Sequence, residues 1–183
     1  MENLEFIRDA MARSTQFTAV PGYGGVLMGV TAIGASVVAR YQPTYRLWLL
    51  TWLVEAALAF LIGLFAVWQK SKSAETAFAS LPARKFAMGF APPIVAGVII
   101  TLLMIKMDMY SKLPTVWLSL YGTAVVTGGA FSVRAVPVMG WLFLALGAIS
   151  LLFPAGYGWI FMILGFGGLH IVFGAIIGAK YGG

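Results

Sequence analysis

Two ionisable side chains lie deep in apolar sequence. Glu55 falls between Trp52-Leu53-Val54 and Ala56-Ala57-Leu58, and His170 between Gly167-Gly168-Leu169 and Ile171-Val172-Phe173. A carboxyl and an imidazole are groups that pass protons and accept hydrogen bonds, and the imidazole also ligates metals. At membrane depth a charged side chain costs at least about 2.5 kcal/mol, so each needs a partner, water or its neutral form. Three uses are open to them: a proton relay in a transporter, polar ligation of a substrate, or a buried hydrogen bond between helices. For His170 a heme or metal-ligand role is a fourth, opposed by the single histidine and the absence of cysteine. Lack of cysteine also removes thiol catalysis, disulfides and iron–sulfur clusters.

Thr101, Thr123, Thr127 and Ser150 are the polar companions within reach of similar depth, although hydroxyls in membrane helices often bond only their own backbone. The chain carries no Ser-His-Asp arrangement, no cluster of carboxylates, no phosphate-binding glycine loop and no HExxH string. The expectation is therefore a non-enzymatic protein with no catalytic residue, no metal and no cofactor.

The elements that must hold Glu55 and His170 are apolar runs at 20–38, 47–68, 86–105, 113–133, 136–153 and 157–179. A hydrocarbon core of about 30 Å takes roughly 20 helical residues at ~1.5 Å each. The fold class expected is all-α, a six-span integral membrane protein in one domain covering 1–183. Hydrophobic residues reach 61% and charged residues only 10%, against roughly 45–50% and about 25% in soluble domains, and no water-soluble core hides so much apolar surface. Counted from the helix ends, Glu55 and His170 sit within about one turn of the same depth, which predicts that they approach each other across the bundle.

The opening Met1-Glu2-Asn3-Leu4-Glu5 has mixed charge, so no cleaved signal peptide is expected. Leu4, Ile7 and Met11 share one face, which predicts an interfacial amphipathic helix over 2–14. With six spans, Arg8, Arg13, Lys70, Lys72, Arg84, Lys85, Arg134 and Lys180 fall on one side, and Arg40, Arg46, Lys106 and Lys112 on the other. That asymmetry predicts both termini in the cytoplasm and accounts for the net charge of +6 without nucleic acid. Arg134 is read as an interfacial anchor. Tyr41, Tyr45, Trp48, Tyr110, Trp117, Tyr157 and Trp159 mark one interface, and Trp68 and Trp141 the other. In the basic loop 69–85, Ser73 could cap a short helix that Pro82 ends, and a cytoplasmic protein or anionic lipid could dock there.

Small residues dominate the packing signals. Gly25 and Gly29 in the first run and Gly174 and Gly178 in the last form GxxxG pairs, while Ala124, Gly128 and Ser132 lay a stripe on the fourth. Such faces serve packing within the chain or homo-oligomerisation. Adjacent Pro92 and Pro93 remove two backbone donors, which predicts a kink or break near Phe90–Ile94. Small residues leading to Pro43, Pro114 and Pro154 suggest three helical hairpins, and Gly34-Ala35-Ser36-Val37-Val38 echoes Gly129-Ala130-Phe131-Ser132-Val133 as a weaker three-plus-three repeat.

The stretch Trp141-Leu142-Phe143-Leu144-Ala145-Leu146-Gly147-Ala148-Ile149-Ser150-Leu151-Leu152-Phe153-Pro154, followed by Leu164-Gly165-Phe166-Gly167-Gly168-Leu169-His170-Ile171-Val172-Phe173-Gly174, resembles the repeating hairpin of HdeD-like proteins. The resemblance implies a six-span inner-membrane protein associated with acid resistance and carries over no functional residue. The function expected is an interaction, accessory or stress-related membrane component; the alternative is a small transporter or channel that relays protons through Glu55 and His170.

Overall fold

The computed structural model describes residues 20, 22–73 and 80–181. The expected interfacial helix 2–14 and positions 74–79 of the basic loop lie outside them. Every element among the described residues is helical. In order they are α1 (Gly22–Arg40), α2 (Tyr45–Ser73), α3 (Leu81–Lys106), α4 (Leu113–Gly129), α5 (Ala135–Ser150) and α6. The last is a rod in three parts: Gly158–Met162, a π-helical stretch Ile163–Leu169, and His170–Tyr181.

Four stretches are long and apolar enough to cross a bilayer, namely Gly22–Arg40, Tyr45–Lys72, Leu81–Lys106 and Ala155–Tyr181. The fourth and fifth expected spans are shorter: α4 has 17 residues and α5 has 16. At ~1.5 Å per residue each falls a few ångströms short of a full hydrocarbon core.

Side-chain size is distributed inside out. The buried residues of α1 are Gly22, Gly25, Gly29, Ala32, Ser36 and Ala39, whereas Tyr23, Leu27, Val30, Val37 and Val38 are exposed. Water would drive the large groups inward, but lipid does not distinguish Leu from its own tails, so close backbone approach governs the choice. The GxxxG pairs show this directly. A Cβ on Gly25 would lie 3.3 Å from the Gly174 Cα, and one on Gly174 would lie 2.6 Å from the Val26 nitrogen. These faces are occupied by each other within one chain, the first of the two uses expected of them.

Consecutive helices run in alternate directions, as the contacts between their ends require. Lys70 reaches the Val20 carbonyl at 3.1 Å, Tyr45 stacks on Tyr110 with centroids 5.7 Å apart, and Arg40 lies 4.2 Å over the Trp159 ring. The three-hairpin expectation describes this order but not the packing. α4 packs most extensively on α5, a partner from the next hairpin, and α1 on α6. The result is two groups: α1 lies between α2 and α6, and α4 between α3 and α5. The three-plus-three division does not match these groups either. The upper part of α6 joins them, with Leu118, Phe143, Phe161 and Met162 in the common core.

The short helix expected between Ser73 and Pro82 falls on 74–79, outside the described residues; Pro82 itself occupies the first turn of α3, where its missing N–H and fixed φ are compatible with helix initiation. The break expected at Pro92 and Pro93 is corrected: α3 is helical from Leu81 to Lys106. Pro93 cannot donate to the Gly89 carbonyl one turn back, but the Thr127 hydroxyl of α4 lies 2.7 Å from that oxygen. A neighbouring helix thus supplies the donor that proline lacks. Thr127, expected as part of a polar core, has one proton to share between this oxygen and the Thr123 carbonyl of its own helix at 2.8 Å, and turned to Gly89 it serves this backbone repair.

Candidate functional site

α1 and α2 are joined at one end by the turn between Arg40 and Tyr45 and meet at the other where Lys70 reaches Val20. Between them opens a groove of about 560 Å³. Its walls are Gly34, Ala35, Val38, Leu50, Val54 and Leu58, and Glu55 and Thr31 line it beside them. Gly34 has no atom within 4 Å of where a Cβ would stand, so the groove is open on the outer side of α1. Among the described residues no cationic side chain lines it.

Glu55 is 7% exposed and is held by one hydrogen bond, from the Thr31 hydroxyl to Oε1 at 2.8 Å. The Met28 carbonyl lies 2.9 Å from the same hydroxyl. A hydroxyl has one proton and two acceptor positions, so the two contacts define a pair of arrangements. With Glu55 ionised, Thr31 donates to the carboxylate. With Glu55 protonated, the carboxyl donates to Oγ1 and Thr31 turns its proton to Met28. The same three groups satisfy the carboxyl in both forms, and neither form requires a counter-ion from the protein.

His170 occupies a different environment. Its Nε2 lies 2.8 Å from the Tyr121 hydroxyl, and Phe143, Tyr121 and Phe166 pack around the ring with centroids 5.5, 5.4 and 6.2 Å away. Nδ1 is buried with no hydrogen bond of ordinary geometry; the Gly165 and Phe166 carbonyls of the π-helical turn face it from below. We assign Tyr121 as donor to Nε2, which leaves the ring proton on Nδ1 toward those carbonyls. This is an interhelical link inside an aromatic cage.

The expected Glu55–His170 pair is therefore not made. Equal depth was the argument for it, but depth leaves open which way each helix is rotated. Glu55 faces the α1 groove and bonds Thr31; His170 faces α4 and α5 and bonds Tyr121. The remaining polar companions are likewise accounted for by local structure. Thr101 donates to Gly97 O at 2.7 Å and accepts the Trp117 indole N–H at 3.0 Å, Thr123 donates to Ser119 O at 2.9 Å, and Ser150 meets Thr115 at 2.6 Å. Trp117 and the buried Tyr110 thus pack inward instead of standing in the aromatic belt, while Tyr41, Tyr45, Tyr157, Trp68 and Trp141 are exposed as the belt requires. Arg134 is exposed in the α4–α5 turn, a position fit for an interfacial anchor.

Thr31 and Tyr121 are the residues that reading for chemistry overlooked. Thr31 had a signal: it and Glu55 are each twelve positions from Pro43 at the hairpin turn, so antiparallel helices bring them to one level. Tyr121 had none, since it meets His170 across 49 positions of sequence. Among the described residues no group of three or more His, Cys, Asp or Glu is placed to hold a metal. Comparison of the chain with protein-family models, curated proteins and solved structures finds no match.

Proposed function

We propose that this is a non-enzymatic six-span membrane protein that takes an amphipathic ligand from the bilayer into the α1–α2 groove and binds its polar head at Glu55. The single observation that carries this reading is a buried carboxyl at the wall of an open, largely apolar groove with Thr31 as its hydrogen-bond partner among the described residues. A groove of about 560 Å³ is in the usual range for a small-molecule site. Because no cation among the described residues lines it, the complementary ligand is an amphiphile whose head is cationic and donates hydrogen bonds, such as an alkyl amine. Proton and amine compete for the same carboxylate, and the Thr31 switch between Glu55 and Met28 serves both states. This supports the transporter reading in an altered form, with Glu55 acting without His170. Six spans would place both termini in the cytoplasm, and the HdeD-like resemblance adds no residue to the groove.

The test is binding of a dansyl-labelled alkyl amine to the purified protein in liposomes. Wild type is expected to bind and to release the probe on acidification. Glu55→Gln should weaken binding by at least about ten-fold, since it leaves only a neutral acceptor. Gly34→Leu should fill the groove and do the same with the carboxyl intact. Undiminished binding by Glu55→Gln overturns the proposal.

An accessory role is favoured by one feature, the small residues Gly34 and Ala35 facing outward on α1, which would admit a partner's transmembrane helix. A photo-crosslinker at Val38 that captures a membrane protein, together with absence of amine binding, would decide for that reading.

A further inference from the structure

A second cleft lies between the outer ends of α2 and α3, two helices that do not pack along each other. It measures about 590 Å³ and is lined by Arg46, Asp108 and Tyr110 with the apolar Leu49, Leu53 and Ile105. Arg46 and Asp108 are of opposite sign, share one cavity and are exposed, yet no ion pair joins them. Both also stand at helix ends, Arg46 one residue into α2 and Asp108 two residues past α3, with the apolar wall running away from them along α2.

We propose that this cleft binds one zwitterionic phospholipid with a primary amine in its headgroup, the ethanolamine class. The guanidinium of Arg46 offers parallel N–H donors to a phosphate, and the Asp108 carboxylate accepts hydrogen bonds from an ammonium. A quaternary choline head has no N–H to donate to Asp108, and a glycerol head carries no positive charge. Leu49, Leu53 and Ile105 then line the upper part of an acyl chain. The cleft meets the Glu55 groove at Leu50, which lines both, but shares none of its polar groups, and neither its presence nor its absence bears on that reading.

Backbone geometry supplies a clean variant. Asp108 has φ of 54°, and the Met109 N–H bonds the Met104 carbonyl at 2.9 Å, the C-terminal arrangement in which a left-handed residue ends a helix. Asparagine tolerates that conformation as well as aspartate does, so Asp108→Asn removes the charge and leaves the cap. The experiment is native mass spectrometry of lipids retained by the purified protein after exchange into equal mixtures of ethanolamine, choline and glycerol phospholipids. Wild type should retain one ethanolamine lipid in at least about five-fold preference. Asp108→Asn should abolish the preference, and Arg46→Gln should lower retention of all three. Soluble glycerophosphoethanolamine should not displace the lipid. Equal retention of the three classes by wild type, an unchanged preference in Asp108→Asn, or displacement by the soluble head alone overturns the proposal. Leu53→Trp, which narrows the cleft without touching either charge, should lower retention and so separates loss of the site from loss of the fold.

Discussion

Each of the two ionisable residues deep in the apolar helices meets a hydroxyl, and the difference between them lies in what surrounds that hydroxyl. Tyr121 is fixed by rings on several sides, at 4.9 Å from Phe143 and 5.1 Å from Phe166, so its bond to His170 is geometrically confined. Thr31 is a small rotor beside an open groove with a second acceptor in reach. The first arrangement suits a structural link and the second suits exchange. Tyr121→Phe is accordingly expected to destabilise the protein by roughly 0.6–2 kcal/mol, the range of hydrogen bonds between membrane helices. Combined with His170→Ala, its effect should be non-additive by about 0.5–2 kcal/mol, whereas Glu55→Gln and His170→Ala, which share no contact, should add within about 0.5 kcal/mol. Thermal unfolding in detergent measures both; coupling between Glu55 and His170 of the larger size would restore the pair that the geometry denies.

At the scale of the element, the continuity of α3 through two prolines shows why helix breakage was not legible from the sequence of one helix. The donors missing at Pro92 and Pro93 are a property of α3, but the donor that replaces one of them belongs to α4. If Thr127 repairs the Gly89 carbonyl, Thr127→Val should cost roughly 1 kcal/mol by leaving a backbone acceptor unpaired in an apolar setting. The cost should shrink when Pro93→Ala restores the N–H, and an equal cost in both backgrounds would show that Thr127 acts otherwise. Other elements were legible for physical reasons that are local. Six apolar runs gave six helical segments because a segment that cannot expose its backbone to lipid must be helical. Gly25, Gly29, Gly174 and Gly178 were recognisable as contact residues because small side chains at four-residue spacing form a flat strip. Which strip meets which, and whether in one chain or two, depends on tertiary choices that no spacing encodes. The π-helical turn at Ile163–Leu169 is of the same kind: Gly165, Gly167 and Gly168 permit it, while Phe143 and Leu118 pressing against Gly165 account for its position.

For the whole molecule, the decisive feature is that α2 and α3 stand at the two flanks, each packed chiefly on one neighbour and largely exposed. In water such helices would collapse onto each other; in a bilayer the same exposure costs nothing, and the two gaps beside α2 become the grooves at Glu55 and at Arg46 and Asp108. The orientation of those grooves in the membrane follows from the basic residues. Lys70, Lys72, Arg84, Lys85, Arg134 and Lys180 cluster at the end of the bundle opposite Arg40, Arg46, Lys106 and Lys112, which predicts that the first end faces the cytoplasm. Because the natural chain has no cysteine, single substitutions report this without background. Thr44→Cys, in the α1–α2 turn, should react with a membrane-impermeant maleimide on intact cells. Lys180→Cys should react only after the membrane is opened. The opposite pattern would reverse the orientation and place the opening of the Glu55 groove nearest the cytoplasmic face, and equal labelling of both positions on intact cells would exclude the odd number of crossings that α2 to α6 place between them.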